Sequence, residues 1–390
     1  MISISLCMIV KNEEKMLERC LSTVHDLVDE IIIVDTGSTD KTKEIAKKFT
    51  DLIYDFEWID DFSAARNFSF SKATKDYQMW LDADDIIEEN ARKKFKKLKS
   101  ELKDNVDMVI IPYDNQSGES DISSTVYKRE RIVKRARNFM WVGFIHEHIP
   151  LRDDINMLEI KDMSITHKKE QGRMDTGRNL KIYEKFLQDG VELTSRDTWL
   201  FARELRRNNR NIESLFYLNK IQSIGGETSD ICFDRGLIYE KLNQRDNALC
   251  SFIDAFKFGI PRAEVFCHIG YYFKDKDENE VAISYFNLAI DTVKTSSFGF
   301  TFNDYWEYTP HIQLADCYLK LNNIEKAAYH HDIAKKYKPN SKDVSDMENF
   351  IDKIKSIGHG DQILESINNL EKIDKYLKNA NQLKNSIQKK

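Results

Sequence analysis

The first half of the chain alternates short apolar runs with amphipathic helical patterns. Runs of strand length lie at 2–10, 30–34, 51–56, 77–81 and 106–113, and helical patterns lie between them at 16–24, 42–49, 62–73 and 88–102. Strands that alternate with helices form a mostly parallel sheet covered on both faces, so this pattern predicts an α/β domain. Extended segments at 125–133 and 140–149 are expected to add antiparallel strands, and an apolar stretch follows at 155–167.

The second half is helical and repeats. Ala202, Gly236 and Gly270 follow one another at intervals of 34 residues, and a later unit comes after an 11-residue insertion near 295–305. Small residues at fixed intervals allow paired helices to approach closely, and this period resembles that of tetratricopeptide repeats. Such arrays usually bind peptides or proteins, and a purely structural role, such as a dimer interface, is the alternative.

These patterns divide the chain into four parts. We expect an α/β catalytic domain at 1–175, a linker helix at 176–194, helical repeats at 195–345 and capping helices at 346–390. The last part rests on apolar residues at helical spacing after residue 361.

Composition and charge narrow the class of protein. Hydrophobic residues make up 41% and charged residues 32%, and the net charge of −6 argues against nucleic acid as a partner. The six cysteines form no C-x-x-C pair, so neither a zinc site nor a thioredoxin-like motif is suggested. Several of them lie at apolar positions of the predicted helices and strands, which favours a reducing compartment. The first apolar run is shorter than the roughly 20 residues of a membrane helix, and no signal peptide is visible. We therefore expect a cytoplasmic protein without a transmembrane segment.

Acidic residues end two of the predicted strands. Asp35 ends the second strand, and Asp82 and Asp84 directly follow the fourth. In open α/β sheets, ligands bind beyond the carboxyl ends of the strands, so these positions are the first candidates for a functional site.

The Asp82-Ala83-Asp84 turn is a candidate metal site. Two carboxylates at this spacing can face one cation, and hard oxygen ligands favour Mg²⁺ or Mn²⁺. Such a cation would bind a diphosphate leaving group. The alternative is a solvated helix N-terminus, where carboxylates are also favoured.

Four motifs in order resemble the family 2 glycosyltransferases of the GT-A fold. They are MIVKNE at Met8–Glu13, IVDTGSTD at Ile33–Asp40, DFSAARN at Asp61–Asn67 and WLDADD at Trp80–Asp85. The resemblance covers roughly residues 1–170. With its repeats the chain also resembles the bacterial peptide S- and O-glycosyltransferases of the glycosylated-bacteriocin type.

The resemblance implies a UDP-sugar donor and assigns roles at its binding site. Asp35 would accept a hydrogen bond from uracil, Arg66 would contact the nucleotide, and Asp82 would approach the ribose or sugar. The nucleoside pocket would be lined by the segment containing Ile9, Val10 and Glu13. The metal would bind Asp84, with His167 as a further ligand. The alternatives are a turn-capping role for Asp35, a surface salt bridge for Arg66 and a partly buried strand-end position for His167.

The segment His146-Glu147-His148 is the candidate source of a catalytic base. Inverting transfer needs a group that takes the acceptor's proton, and we assign Glu147 to this role with His146 as second choice. A zinc site on His146 and His148 is the rival interpretation, which lacks a third nearby ligand. Hydrogen bonding of either histidine to the sheet rim is the structural alternative.

The resemblance therefore implies an inverting, metal-dependent transfer of a hexose or N-acetylhexosamine to a peptide or protein side chain. The acceptor atom would be a Ser or Thr hydroxyl or a Cys thiol. A cell-envelope polysaccharide or lipid glycosyltransferase is the first alternative, and a non-catalytic repeat scaffold is the second. A homodimer is a further open prediction.

Overall fold

The computed structural model describes residues 2–115, 125–168, 177–293 and 303–356. It has two parts, a mixed sheet with helices in the first half and paired helices in the second. No helix of these described ranges is both long and apolar enough to cross a membrane.

In the described part of the first half, nine strands form one sheet. Its strand order is β3-β2-β1-β4-β7-β6-β9-β5, and β8 pairs beside β6. The strands are β1 (Ile4–Val10), β2 (Glu30–Asp35), β3 (Ile53–Asp55), β4 (Tyr77–Trp80), β5 (Asp85–Ile86), β6 (Met108–Asn115), β7 (Thr125–Lys134), β8 (Met157–Glu159) and β9 (Ile165–His167). The first four are mutually parallel as expected, whereas β7 is antiparallel to both β4 and β6.

The helices of the first half cover both faces of this sheet. They are α1 (Leu17–Val24), α2 (Thr42–Ala46), α3 (Phe62–Ser71) and α4 (Glu89–Glu101). Leu6 and Met8 of β1 pack in one core with α1, while Cys7 between them packs in a second core with Phe70 of α3. Burial on both faces explains why β1 is a continuous apolar run and does not alternate with polar residues.

The segment 140–149 is not the strand that the sequence led us to expect. Within it, Val142 and His148 form an isolated antiparallel bridge. Between them the chain turns back on itself, with left-handed backbone at Gly143 (φ 91°) and His146 (φ 53°). The apolar residues of this segment therefore cover the domain as a loop.

A β-bulge interrupts the pairing of β6 with β7. Val109 pairs with Ile132 and Ile110 pairs with Glu130, which leaves Arg131 as the extra residue on β7. A bulge re-aims the side chain of its extra residue. Arg131 here points into the protein and is fully buried.

Across 177–293 and 303–356, the parts of the second half that the structure describes, one connecting helix is followed by four helix pairs and a further helix. The helices are α5 (Arg178–Gln188), α6 (Ser195–Arg207), α7 (Asn211–Ser223), α8 (Ser229–Lys241), α9 (Arg245–Asp254), α10 (Ala263–Asp275), α11 (Asn279–Asp291), α12 (Tyr308–Lys320), α13 (Ile324–Tyr337) and α14 (Lys342–Ser356). Val344 of α14 packs on α12 and α13. The expected capping segment after residue 361 lies outside the described residues.

Glycines and left-handed turns account for the 34-residue period. A Cβ on Gly236 would overlap the ring of Phe252, and a Cβ on Gly270 would lie 2.7 Å from the ring of Phe286. The turns inside the four pairs carry left-handed residues, Asn209, Asn243, Asp277 and Asn322. The first three are 34 apart, and the fourth is shifted by the 11-residue insertion. The repeat is therefore a repeat of helix-pair packing.

Candidate functional site

The carboxyl ends of the central strands form the edge at which the candidate residues gather. Asp35 ends β2 opposite Val10 of β1, and Asp82 lies two residues beyond Trp80, which ends β4 opposite Cys7. Because β1 separates β2 from β4, two strand spacings of about 4.8 Å divide Asp35 from the acidic turn. Both acids therefore border the same edge, roughly 10 Å apart.

Asp35 is a buried carboxylate with one oxygen in use. Its Oδ1 accepts hydrogen bonds from the backbone N–H groups of Gly37 (3.0 Å) and Ser38 (2.8 Å), and Lys43 Nζ lies 3.9 Å away. Its Oδ2 is buried and has no hydrogen-bond partner among the described residues. Asp35 thus caps its turn, the alternative role considered from the sequence, and also keeps one acceptor for a ligand.

The loops after β1 and β2 are joined by hydrogen bonds. Asn12 donates its backbone N–H to Ser38 Oγ (2.9 Å) and accepts from the backbone N–H of Thr39 (2.8 Å). The backbone N–H of Glu13 donates to Thr42 Oγ1 (2.7 Å).

The predicted nucleoside-pocket residues occupy these loops and the strand end before them. Ile9 is half-buried and Val10 is buried, both at the end of β1. Together with Glu13 they lie next to Asp35 at the edge of the sheet.

The acidic turn after β4 is organised by its third carboxylate, Asp85. Its Oδ2 accepts from the backbone N–H of Asp82 (3.0 Å) and pairs with Arg131 (3.1 Å), and its Oδ1 accepts from the hydroxyl of Tyr113 (2.6 Å). Asp85 is fully buried. Its oxygens are therefore engaged inside the protein, and Asp82 and Asp84 are the members of the turn with exposed surface.

Arg131 is the buried cation opposite Asp85. Its guanidinium carbon lies 3.8 Å from the ring centre of Trp80 and 4.3 Å from that of Tyr113, and one of its nitrogens donates to the carbonyl oxygen of Trp80 (3.3 Å). Aromatic faces favour a desolvated cation. The β-bulge thus supplies the counter-charge that holds the acidic turn in place.

His167 joins the turn from β9 and completes a cluster of possible metal ligands. Its Nδ1 lies 3.2 Å from Asp84 Oδ1 and 3.3 Å from Asp85 Oδ1, and ligand atoms of these three residues lie within 4.8 Å of one another. Burial acts to lower the pKa of His167, but the hydrogen bonds and charges of the two carboxylates outweigh it and raise the pKa from 6.5 to about 9.

The donor set fits a divalent cation. Carboxylate oxygens with one imidazole suit Mn²⁺, and the carboxylates suit Mg²⁺ as well. Asp85 is already paired with Arg131, so Asp84 and His167 are the residues that can turn toward an ion. Their side chains are 18% and 13% exposed, so both reach the surface of the site.

Arg66 of α3 links the acidic turn to the segment 143–148. Its Nη2 donates to Asp82 Oδ1 (2.8 Å) and its Nε donates to Glu147 Oε1 (2.6 Å). The guanidinium is buried between the rings of Trp80 (4.7 Å) and Trp141 (4.9 Å). Arg66 is therefore a buried residue that connects Asp82 to Glu147. The sequence had left open a surface salt bridge for it instead.

The two candidate bases point in different directions. Glu147 faces Arg66, and its Oε2 accepts no hydrogen bond from the described residues. The Nε2 of His146 instead lies 2.9 Å from Oε1 of Glu204, on helix α6 of the second half. His146 and His148 do not share a strand face because the segment folds back on itself. The described residues contain no three-ligand group that includes either histidine.

Four site residues had no role in the sequence analysis. Asp85 follows two other acids and has no sequence feature that marks it as the buried one. Arg131 lies in a basic stretch that resembles a solvated surface, although its position in a predicted extended segment, directly before Ile132 and Val133, was a usable signal. Tyr113 and Glu204 are distant in sequence from the residues they contact, so no local pattern links them.

Comparisons with known proteins find similarity to glycosyltransferases and to proteins with tetratricopeptide repeats. Residues 5–153 match the family described as Glycosyl transferase family 2. The SPbeta prophage-derived glycosyltransferase SunS of Bacillus subtilis is 29% identical over 230 residues, which are 56% of this chain and 53% of SunS. A TPR repeat-containing protein of Synechococcus elongatus is 48% identical over 87 residues, 22% of each chain. This chain thus spans about half, or less, of the length of these relatives.

Solved structures show weaker likeness. The structure of S. aureus TarS 1–349 in complex with UDP-GlcNAc matches with a TM-score of 0.39 and 15% sequence identity. The match covers 65% of this chain and 91% of the TarS chain. The structure of the TPR protein YrrB matches with a TM-score of 0.36 and 14% sequence identity. The match covers 45% of this chain and 83% of the YrrB chain. These TM-scores are too low to support an argument about function.

Proposed function

We propose that the protein is a glycosyltransferase, because residues 5–153 match glycosyltransferase family 2 and are followed by paired helices that resemble tetratricopeptide repeats. In the proposed reaction it moves a hexose or N-acetylhexosamine from a UDP-sugar to a Ser or Thr hydroxyl or a Cys thiol of a peptide or protein. The transfer proceeds by single displacement with inversion at the anomeric carbon.

One observation carries this proposal. A buried carboxylate with an unused oxygen, Asp35 Oδ2, and a metal-ligand cluster around Asp84 and His167 border the same edge of one sheet. The acidic turn that contains Asp82 and Asp84 begins about two strand spacings, roughly 10 Å, from Asp35, and this arrangement suits a ligand with a hydrogen-bonding base at one end and a diphosphate at the other. A nucleoside diphosphate sugar has both groups.

Each side chain then has a task in donor binding. Asp35 accepts the N–H of uracil, while Ile9, Val10 and Glu13 line the nucleoside pocket. Asp82, fixed by Arg66, faces the ribose or the sugar. A divalent cation, Mn²⁺ or Mg²⁺, held by Asp84 and His167 would neutralise charge on the departing diphosphate.

Glu147 is the proposed base. Arg66 fixes its Oε1, which leaves Oε2 to take the proton of the acceptor. The acceptor oxygen or sulfur forms a bond to the anomeric carbon while the bond from that carbon to the β-phosphate oxygen breaks, and UDP leaves. His146 is the second choice, and its contact with Glu204 favours a supporting role for it.

The acceptor proposal rests on the repeats. Arrays of paired helices form extended surfaces that bind peptides and proteins. We also place the protein in the cytoplasm, since its six cysteines are unpaired and five of them are buried. A homodimer stays a prediction, as does the alternative of a cell-envelope polysaccharide or lipid acceptor.

Release of UDP tests the proposed function. Purified protein with Mn²⁺ and either UDP-glucose or UDP-GlcNAc is expected to release UDP slowly, with water as acceptor, and Asp84→Ala is expected to abolish the release. Asp104→Ala is the matched control, because Asp104 is an exposed carboxylate at the opposite end of the sheet, where it pairs with Lys134. If neither sugar nucleotide binds, with or without metal, the enzyme proposal is wrong and the non-catalytic scaffold remains.

A further inference from the structure

The segment Gly143–His148 lies between the two halves of the molecule. On one side Glu147 contacts Arg66 of the sheet domain. On the other side Ile145 is buried in an apolar cluster with side chains of α5 and α6, including Tyr183 and Phe201. The first helices of the helical half therefore form part of the wall that supports the candidate base.

Two polar contacts from α6 hold the residue next to that base. Glu204 Oε1 lies 2.9 Å from His146 Nε2, and Arg196 Nη2 donates to the carbonyl oxygen of His146 (3.1 Å). Both the side chain and the backbone of His146 are thus fixed by the same helix. Glu147 follows directly in the chain, so its position depends on these contacts.

The backbone of His146 shows why the contacts matter. Its φ of 53° lies in the left-handed region, which is unfavourable for a residue with a Cβ. Such a conformation persists only where surrounding contacts enforce it. Removal of the contact with Glu204 would let His146 relax and would turn the peptide that leads into Glu147.

Glu204 is itself held in place. Its side chain is 2% exposed, and the same Oε1 also accepts from Arg207 Nη1 (3.0 Å). A buried carboxylate is costly unless it is paired, so His146 and Arg207 together keep this charge inside the array.

We propose that Glu204, through its contact with His146, is a positioning residue for Glu147, so that the first repeat helix is part of the catalytic centre. This inference rests on the proposed function, because it takes Glu147 as the base. It assigns the helical half a second task beside acceptor binding, namely the geometry of the base.

Turnover of the full-length protein tests the inference. With Mn²⁺ and whichever UDP-sugar the wild type hydrolyses, Glu204→Ala is expected to lower kcat about ten- to a hundredfold, the usual cost of a misplaced catalytic group, with the KM for the donor unchanged. Glu204→Gln keeps an acceptor at the same atom and is expected to recover most of the loss. A double variant of Glu204→Ala with His146→Ala should be no slower than the slower of the two single variants.

Asp234→Ala is the matched control. Asp234 is another buried carboxylate of the array, and it pairs with Trp199 (2.7 Å), Arg203 (3.5 Å) and Arg206 (3.0 Å) of α6 without touching the segment. Loss of this carboxylate should lower the melting temperature at least as much as Glu204→Ala while leaving kcat within about twofold, since no catalytic group moves. Equal losses of kcat in both variants, or no loss in Glu204→Ala, would overturn the inference.

Amide hydrogen exchange separates this inference from the proposed function. The backbone N–H groups of Val142 and His148 each donate to the carbonyl oxygen of the other residue, so slow exchange of both amides is expected in the wild type. In Glu204→Ala, the peptide that spans these two residues is expected to exchange faster than in the wild type, whereas in Asp234→Ala its exchange should not change. Unchanged exchange in Glu204→Ala would overturn the inference, whatever value kcat takes. A wild-type protein that releases no UDP would instead overturn the proposed function, a result seen without any substitution.

Discussion

The buried ion pair between Arg131 and Asp85 should make a large contribution to the free energy of unfolding of the sheet domain. Arg131→Met tests this prediction. Both side chains are fully buried, and they are 3.1 Å apart. Methionine keeps much of the apolar volume and removes the charge, which leaves Asp85 with the Asp82 N–H, the Tyr113 hydroxyl and His167 Nδ1 at 3.3 Å.

The magnitude follows from this geometry. Removal of one partner of a buried pair costs about 3–5 kcal/mol, because the remaining carboxylate stays buried, here with His167 as its remaining cationic neighbour. Loss of the stacking on Trp80 acts in the same direction. In a domain of this size each kcal/mol corresponds to about 2–4 °C, so the melting temperature should fall by roughly 6–20 °C.

Urea unfolding followed by tryptophan fluorescence is the assay, since Trp80 lies against the guanidinium. Lys128→Met is the control on the same strand. Its partner Glu159 lies 2.7 Å away and is 36% exposed, so this pair should contribute less than about 1 kcal/mol. Equal free energies of unfolding for the two variants would refute the view that the buried pair holds the acidic turn.

Three other predictions follow from single residues. Because the pKa of His167 is raised to about 9, Mn²⁺ binding at pH 7 should release about one proton, and the affinity for Mn²⁺ should fall about tenfold for each pH unit below 9. Calorimetry in two buffers measures the proton release, which His167→Gln should abolish. Asp35→Asn keeps an oxygen for Gly37 and Ser38 but places a donor at the free position, so UMP affinity should fall about ten- to a hundredfold by calorimetry, with unchanged melting. Gly236→Ala forces a Cβ against the ring of Phe252 and should destabilise the array by about 1–3 kcal/mol in thermal unfolding; an unchanged transition would contradict the close-packing account.

The sheet edge was predictable because strand periodicity and topology obey general rules. The apolar runs marked β1, β2 and β4, and parallel strands bring their carboxyl ends to one edge, so Asp35 and the acidic turn could be placed together from the chain alone. The repeats were predictable for a related reason, since close helix packing demands a small residue at the same point of each unit, as at Gly236 and Gly270.

The supporting residues were not predictable, because their roles depend on contacts across the fold. Arg131 is turned inward by a bulge, which shifts every later residue of β7 by one place in the pairing with β6. His146 contacts Glu204, which is 58 positions away on another element. The segment around His146 was expected to be a strand because it is apolar, but it forms a loop in which Phe144 and Ile145 pack against α5 and α6 while Trp141 and Ile149 pack in the core of the sheet domain.

The central claim is that one ligand spans Asp35 and the metal-ligand cluster, and the coupling between Mn²⁺ and nucleotide binding tests it most directly. Calorimetric titration of UDP and of uridine, each with Mn²⁺ and with EDTA, separates the two ends of the site. The account predicts that Mn²⁺ tightens UDP binding at least about tenfold, leaves uridine binding unchanged, and loses its effect on UDP in Asp84→Asn. Equal UDP affinity in Mn²⁺ and in EDTA would contradict it.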